Sequence, residues 1–461
     1  MARIVIIGGG FGGFYTALGL EKQLSRQRHE LILVSNENYL LYTPLLPEAA
    51  SGALEPRHLV VPLRTALKWT RIIIASVTDV DIAGRSITIC PADGAPRPLP
   101  YDQLVFALGS TTRMPAAVPG LAERAIGFKT LAEAIALRNR LLGNLEIADA
   151  TGDDALRRRL LTFVFVGGGY AGTETAAEIQ STALDALRYY PRLEPAMVRV
   201  VLLEAAPMIL RDLGDDFATQ VQQGLIEKGI EIRVATTLKE VREGVVILAS
   251  GEPIPTETVV WTAGVVAHPL ARKLGAVDNK GRVITTPAMR IAGHDEIWAL
   301  GDSAAVPDAK TGGESAPPTA QHVLRQARTL SRNITAALEG GHLRPFSHGN
   351  LGMLAGLGEH DGAGRLLGIP VRGFFAWWIV RTYHLLQLPT MSRKIRVVLD
   401  WTIALFFRRD IAQLGSLQGT TAFARGAMAG SRPMAVGRTQ PAASGQPPAD
   451  SGQLPAASGR P

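Results

Sequence analysis

Two glycine-rich segments, each directly after a short apolar run, constrain this chain of 461 residues most strongly. The apolar run at 4–7 is followed by GGGFGG at 8–13, and the run at 162–166 is followed by GGGYAG at 167–172. Both segments fit the pattern G-x-G-x-x-G, whose glycines allow a tight turn from strand to helix and close approach of the backbone to a pyrophosphate. One such loop is a weak signal. Two of them, both in strand-to-helix context, predict one protein that holds two dinucleotides.

The pattern of apolar residues around these loops alternates between strand and helix. It predicts an α/β fold with two Rossmann-like dinucleotide-binding domains. Helices are predicted over 14–26, 131–146 and 318–339. Strands are predicted over 3–7, 31–34, 71–77, 86–90, 103–107, 162–166, 198–203, 259–261 and 296–300.

The residue that ends the second strand of each unit distinguishes the two sites. In the second unit this residue is Glu204, whose carboxylate can accept hydrogen bonds from ribose hydroxyls and would repel a 2′-phosphate, so NADH is favoured over NADPH. In the first unit the same place holds Ser35, which binds a ribose less strongly. Asp302 follows the strand at 296–300. Its spacing allows two roles, either as the N-cap of a helix or as a ligand for the ribityl chain of a flavin.

Further motifs make the chain resemble the two-dinucleotide-binding flavoprotein oxidoreductases and, within them, the type II NADH dehydrogenases. The resemblance covers about residues 1–412. Besides the glycine loops, its marks are YLLYTPLLP at 39–47, YDQLV at 101–105, VWTAGV at 260–265, ALGD at 299–302 and PPTAQ at 317–321. It implies an FAD-dependent NADH:quinone oxidoreductase, with FAD in the first site and NADH in the second. Hydride would pass from NADH to FAD, and a membrane quinone would then be reduced.

The resemblance also implies which residues form the site. Glu174 matches the family's glutamate near the contact between nicotinamide and flavin, Asp302 would hold the ribityl chain, and Gln321 would lie near the flavin ring and the quinone pocket. No metal site is expected. The residues expected to bind the cofactors are Gly8, Gly10, Phe11, Gly12, Gly13, Ser35, Gly109, Gly167, Gly169, Tyr170, Gly172, Glu204, Gly264, Gly301, Asp302 and Ala320.

Two positions depart from the family pattern. Ser35 stands where the family usually has an acid, so FAD ribose binding relies on other groups. Arg325 stands where the family has a second glutamine, four residues after Gln321, and Gln326 comes next. Gln321 and Arg325 share one helix face at this spacing, but arginine cannot accept a hydrogen bond. The resemblance implies Glu174, Gln321 and Arg325 as the catalytic residues. Because Arg325 departs from the family pattern, the quinone is the part of the assignment that the sequence supports least.

The C-terminal part of the chain is basic and apolar. Residues 365–409 hold eight Arg and Lys residues against one acidic residue, Asp400, so this segment carries the whole net charge of +7. Apolar residues recur at helical spacing near 375–386 and 395–406. With the tryptophans, this composition favours binding to an anionic membrane surface, while packing on the enzyme or on a homodimer partner is the alternative.

The sequence holds no nucleic-acid motif and no run of eighteen apolar residues. We therefore expect no nucleic-acid partner and no transmembrane helix, but a peripheral enzyme on the cytoplasmic side of the cell membrane. The predicted division is an FAD-binding domain over 1–118 and 281–340, an NADH-binding domain over 119–280, a membrane-associating segment over 341–415 and a disordered low-complexity tail over 416–461.

Two other functions stay open at this point. One is an NADH-dependent flavoprotein reductase of a protein carrier such as ferredoxin, and the other is a non-catalytic NADH-binding redox sensor. Cys90 is the only cysteine. Disulfide reductases and sulfide:quinone reductases, which need cysteine pairs, are therefore excluded.

Overall fold

The computed structural model describes residues 1–348 and 352–413. Two sheets with parallel central strands, each flanked by helices, are followed by a small antiparallel sheet and a helical pair. The helices in chain order are α1 (Phe11–Gln23), α2 (Leu46–Ala50), α3 (Leu63–Ala66), α4 (Leu121–Arg124), α5 (Leu131–Ala150), α6 (Asp154–Leu160), α7 (Tyr170–Ala186), α8 (Asp215–Glu227), α9 (Ala320–Glu339), α10 (Gly373–Gln387) and α11 (Met391–Phe406).

The first helix begins earlier than the sequence pattern predicts. It was expected over 14–26 and instead spans Phe11–Gln23, because Gly12 and Gly13 belong to its first turn and the Phe14 amide already donates to the Gly10 carbonyl at 2.9 Å. Helix α9 packs closely along α1, where a Cβ added to Gly19 would stand 2.5 Å from the Ser331 hydroxyl oxygen. This close approach holds α9 against α1, the helix that follows the first glycine loop.

The larger sheet contains the strand that leads into the first glycine loop. Residues 4–7 of that strand are fully buried, and the strand pairs in parallel with neighbours on both sides. The sheet combines strands from two separate parts of the chain, before residue 107 and after residue 289. Its strands in spatial order are Arg290–Ile291, His294–Ala299, Gln103–Phe106, Ala2–Ile7, His29–Ser35, Arg71–Asp81, Ser86–Pro91 and Arg97–Pro100.

The second sheet is entirely parallel and contains the strand that leads into the second loop. Every residue of that strand, Thr162–Val166, is buried, as expected for a parallel sheet covered on both faces. Phe163 and Phe165 share one buried apolar cluster with α5 and α7. The strands in spatial order are Ile126–Gly127, Thr258–Trp261, Thr162–Val166, Arg199–Leu203 and Ile230–Arg233.

Short strands complete the two units and connect them. The pair Ser110–Thr112 and Val265–Ala267 runs antiparallel between the segments that leave the two main sheets. The remaining short strands are Tyr39–Leu41 with Val60–Pro62, Leu238–Arg242 with Val245–Leu248 and Pro253–Pro255, and Val283–Ile284 with Ala304–Ala305.

The C-terminal part begins with an antiparallel sheet that the sequence pattern did not indicate. Its strands are Gly352–Gly356, Gly362–Leu366 and Ile369–Arg372. Helices α10 and α11 follow, and Leu388 and Val397 pack into a buried cluster with Tyr42 and Leu45. None of the helices in residues 1–348 and 352–413 is both long and apolar enough to cross a membrane. The predicted tail over 416–461 lies outside the described residues.

Candidate active site

The first glycine loop forms a tight turn with an open helix start. Gly8 has φ +107°, and its amide donates to the Val34 carbonyl at 2.8 Å. A Cβ at Gly13 would stand 1.8 Å from the Gly8 carbonyl oxygen, so only glycine fits there. A Cβ at Gly10 would meet nothing within 4 Å, so the N-terminus of α1 is accessible at this residue. The backbone therefore offers free N–H groups and open space where a pyrophosphate would bind.

The second loop repeats this geometry. Gly167 has φ +112°, and its amide donates to the Leu203 carbonyl at 2.8 Å. A Cβ at Gly172 would stand 1.9 Å from the Gly167 carbonyl oxygen, whereas one at Gly169 would meet nothing within 4 Å. The two loops therefore have the same geometry, and each leads into an accessible helix N-terminus.

The residues that end the second strand of each unit lie beside these loops. Glu204 binds the second loop directly, since its carboxylate accepts from the Gly168 amide at 2.5 Å and from the Ala206 amide at 2.8 Å. Ser35 is buried, and its hydroxyl accepts from the Glu37 amide at 3.3 Å. The second site therefore carries a negative charge at the place where a ribose would lie, and the first site carries a neutral hydroxyl.

Asp302 lies at the end of strand His294–Ala299 and belongs to a polar chain. The Ser110 hydroxyl donates to the Asp302 carboxylate at 2.7 Å, and the Lys129 ammonium donates to the Ser110 hydroxyl at 2.5 Å. Burial lowers the pKa of Lys129, which the nearby Asp302 charge partly opposes. Asp302 is thus half-buried, oriented by its neighbours and able to accept further hydrogen bonds.

Gly109 and Gly264 precede the two short strands that connect the units. The His268 amide donates to the Gly109 carbonyl at 3.0 Å, and the Arg113 amide donates to the Gly264 carbonyl at 3.2 Å. The two glycines therefore lie at opposite ends of the same short ladder, where residues of the first and second units meet.

Tyr170 opens α7 directly after the second loop. Its hydroxyl is buried and has no hydrogen-bond partner among the described residues. Burial, followed by the charges of Asp212 and Glu174, raises the pKa of this hydroxyl, so it is neutral at physiological pH. A buried hydroxyl without a partner beside an open helix N-terminus fits a site that is completed by a ligand.

The start of α9 carries Ala320, Gln321 and Arg325. Gln321 and Arg325 lie on one face as their spacing predicts, and the Arg325 guanidinium donates to the Gln321 backbone carbonyl at 2.9 Å. Gln326 is buried with 3% exposure, and its side-chain oxygen accepts from the Gly301 amide at 2.8 Å. Gln326 therefore holds the turn before Asp302 and does not take the place of a second glutamine beside Gln321.

Glu174 lies in the second turn of α7 and reaches the antiparallel sheet of the C-terminal part. Its carboxyl accepts from the Gly356 amide at 2.8 Å. Burial and then, more weakly, the charges of Glu178 and Glu48 raise the pKa of Glu174 to about 8, although the Gly356 amide opposes the shift. Glu174 therefore holds a proton at neutral pH. Sequence reasoning missed Glu48 and Glu178. The spacing of four between Glu174 and Glu178 was the one available signal.

Comparison with known proteins places this geometry in a family. Residues 2–327, which include both glycine loops and Asp302, match the model of the pyridine nucleotide-disulphide oxidoreductases. The chain belongs to this family. Within the family it is similar to the type II NADH:quinone oxidoreductase of Mycobacterium tuberculosis, at 31% identity over 92% of each chain. It is also 33% identical to the demethylphylloquinone reductase of Synechocystis, over 87% of this chain and 95% of the relative.

Solved structures agree on the fold. The structure of NDH2 from Plasmodium falciparum in complex with NADH superposes with a TM-score of 0.82, at 18% identity, over 89% of this chain and 99% of that chain. The mixed α/β dinucleotide-binding fold therefore extends through the residues that contain Glu174, Gln321 and Arg325. Two features distinguish this member of the family from the pattern described above, namely the hydroxyl of Ser35 and the guanidinium of Arg325.

Proposed function

We propose that this protein is an FAD-dependent NADH:quinone oxidoreductase of type II. The observation that carries the proposal is the pair of matching glycine loops, each open at a helix N-terminus, in a chain that resembles type II enzymes over nearly its whole length. The reaction converts NADH, a proton and a quinone into NAD⁺ and a quinol. FAD, when bound, supplies the two-electron carrier between donor and acceptor.

FAD is assigned to the first site and NADH to the second. Asp302 supports the first assignment, because its half-buried carboxylate can accept hydrogen bonds from a ribityl chain. The negative charge of Glu204 supports NADH over NADPH in the second. The assignment corresponds to an FAD-binding domain over 1–118 and 281–340 and an NADH-binding domain over 119–280, in keeping with a larger sheet that draws strands from both ends.

Gln321, Arg325 and Glu174 are assigned to the reduction of the quinone. Gln321 and Arg325 present hydrogen-bond donors at the start of α9, where a quinone carbonyl could accept. NADH delivers a hydride, so each quinol formed needs one further proton. Glu174, which is protonated at neutral pH, is suited to hold that proton.

A stopped-flow experiment tests the donor and the acceptor together. The flavin-loaded protein is mixed with NADH or NADPH, and flavin absorbance is followed before and after addition of a short-chain quinone. We expect fast bleaching with NADH, slow bleaching with NADPH, and reoxidation by the quinone. Reduction by NADH without reoxidation by quinone, but with reoxidation by an iron–sulfur protein, would instead identify a carrier reductase.

The C-terminal helices are assigned to a membrane surface, on the cytoplasmic side. Their outer faces expose large apolar residues, namely Phe374, Phe375, Trp378, Leu386, Ile395, Leu399, Ile403, Leu405 and Phe406, all more than half exposed. Arg393, Lys394 and Arg396 lie at the start of α11, next to these residues. An apolar face flanked by cations matches an anionic bilayer, and a lipid quinone would reach the enzyme from that side.

Sedimentation with anionic liposomes tests this assignment. Trp378→Glu places a charge on the proposed membrane face, at a residue that is 55% exposed. Ile147→Glu is the matched control, since Ile147 is 50% exposed and lies on α5, not on α10 or α11. We expect Trp378→Glu to lose liposome binding and Ile147→Glu to keep it. If Trp378→Glu still binds liposomes but elutes as a monomer in size-exclusion chromatography where the parent protein elutes as a dimer, the face belongs to a homodimer interface.

A further inference from the structure

Three glutamates from two helices meet beneath the C-terminal part of the chain. Glu48 lies on α2, and Glu174 and Glu178 lie one turn apart on α7. Burial raises the pKa of Glu48, and the charges of both Glu48 and Glu178 raise that of Glu174. The three carboxyls therefore sense one another electrostatically.

Two arginines from the C-terminal segment pair with two of these glutamates. Arg381 of α10 lies 3.1 Å from Glu48, and Arg409, after α11, lies 3.1 Å from Glu178. All four side chains are at most 14% exposed. Trp401 also donates to Glu48 at 2.7 Å. If one partner of such a pair were removed, the other would be left as a buried unpaired charge, so each arginine depends on its own glutamate.

The Arg381 guanidinium is held in place by aromatic rings. It lies 4.1 Å from the centroid of Trp377 and 4.9 Å from that of Trp401. Arg409 additionally contacts the Thr182 hydroxyl of α7. Both cations are therefore positioned by their surroundings and are not free side chains that happen to reach a carboxylate.

The charges of the cluster determine how many protons it holds. Three carboxyls face two guanidinium groups, so the cluster is neutral when one carboxyl carries a proton. Glu48 and Glu178 each face an arginine, while Glu174 faces the Gly356 amide and the neutral Tyr170. The proton is therefore most stable on Glu174.

We propose that Arg381 and Arg409 are positioning residues that, by pairing with Glu48 and Glu178, assign the proton of the cluster to Glu174. The C-terminal segment thereby controls whether the active-site glutamate can hold the proton needed for quinone reduction. This inference rests on the proposed function for its role in turnover, but its electrostatic part stands on the cluster alone.

Three variants test the proposal through the direction in which a pH profile moves. Arg409→Gln leaves the charge of Glu178 uncompensated, so the alkaline limb of NADH:quinone turnover moves to higher pH, by about one pH unit for the loss of an opposite charge at this range. Glu178→Gln leaves the charge of Arg409 uncompensated, so the limb moves to lower pH. The double variant Glu178→Gln/Arg409→Gln removes both charges and returns the limb close to its original position.

Arg199→Gln is the matched control. Arg199 lies on the strand Arg199–Leu203 and pairs with Glu231 of the neighbouring strand, outside the cluster, so its loss leaves the limb in place. A structural role for Arg409 predicts loss of protein or of rate in all three variants, without opposite shifts. If Arg409→Gln does not accumulate, the shift in Glu178→Gln and its reversal in the double variant decide the question.

A second readout separates this proposal from the proposed function. Infrared titration of the flavin-loaded protein follows the protonated-carboxyl band that is absent in Glu174→Gln, without any turnover. Opposite shifts of this band in Arg409→Gln and Glu178→Gln support the proposal even if no quinone is reduced. Shifts in the same direction, or none, overturn it even in an active quinone reductase.

Discussion

Replacing Glu174 by glutamine changes stability and activity in opposite directions. Glutamine has nearly the same shape and its side-chain oxygen can still accept from the Gly356 amide. It cannot ionise or release a proton. The variant therefore isolates the proton of Glu174 from its packing.

The magnitude follows from the pKa of this carboxyl. It stands at about 8 in the folded protein against an ordinary value of 4.5, and each pKa unit corresponds to about 1.4 kcal/mol. The folded state holds the proton to higher pH than the unfolded chain does. The stability contributed by protonated Glu174 is thus fully present below pH 4.5 and is lost as the pH rises to about 8. Glutamine avoids this loss, which is at most about 5 kcal/mol.

Urea unfolding, measured from pH 5 to pH 8 with flavin loaded, gives the comparison. We expect the midpoints of Glu174→Gln and the parent protein to nearly coincide at pH 5 and to diverge in favour of the variant towards pH 8, while the variant loses quinone turnover. Glu194→Gln, at an exposed position, is the control and shows no such divergence. A constant difference between pH 5 and pH 8 would mean that Glu174 ionises freely in the folded protein, and would refute its role as a proton store.

Four substitutions test the cofactor sites. Gly13→Ala places a Cβ 1.8 Å from the Gly8 carbonyl oxygen, so we expect no FAD in the purified protein. The Cβ of Gly10→Ala meets nothing within 4 Å, so this variant keeps its fold and binds FAD more weakly. Equal FAD content in the two variants would contradict the loop geometry. Asp302→Asn removes the charge of one acceptor, so we expect the Kd for FAD, measured by flavin fluorescence, to rise about tenfold, and an unchanged Kd would argue against a contact between Asp302 and the flavin. Glu204→Gln removes the charge that repels a 2′-phosphate, so the ratio of kcat/KM for NADPH to that for NADH rises about tenfold, and an unchanged ratio would argue against its assigned role.

Local sequence patterns predicted the two dinucleotide units because the relevant contacts are local. Each glycine loop, the strand before it and the helix after it lie within a short stretch, and the fold of the family and its α/β class are confirmed. The predicted helices near 375–386 and 395–406 also correspond to α10 and α11. Apolar spacing sufficed for these elements.

Features that depend on distant residues were not predictable in the same way. The strands of residues 352–372 are short, and two of the three, Gly352–Gly356 and Gly362–Leu366, contain glycines, so they carry little periodic signal. Nothing near Glu48 in the sequence indicates that Arg381 and Trp401 will surround it. Likewise, the order of Arg325 and Gln326 does not reveal that Gln326 turns inwards to Gly301. Tertiary packing alone decides these contacts.

The larger sheet is completed late while the chain leaves the ribosome. Strand His294–Ala299 pairs with Gln103–Phe106, and α9 packs along α1. The strand His294–Ala299 and α9 emerge only after all five strands of the second sheet, which lie between residues 126 and 261, have been made. We therefore expect the nascent chain to finish its second dinucleotide unit before its first, with the apolar side of α1 uncovered in the interval. A chaperone that binds this face would act during the synthesis of residues 107–339 and be released when α9 arrives.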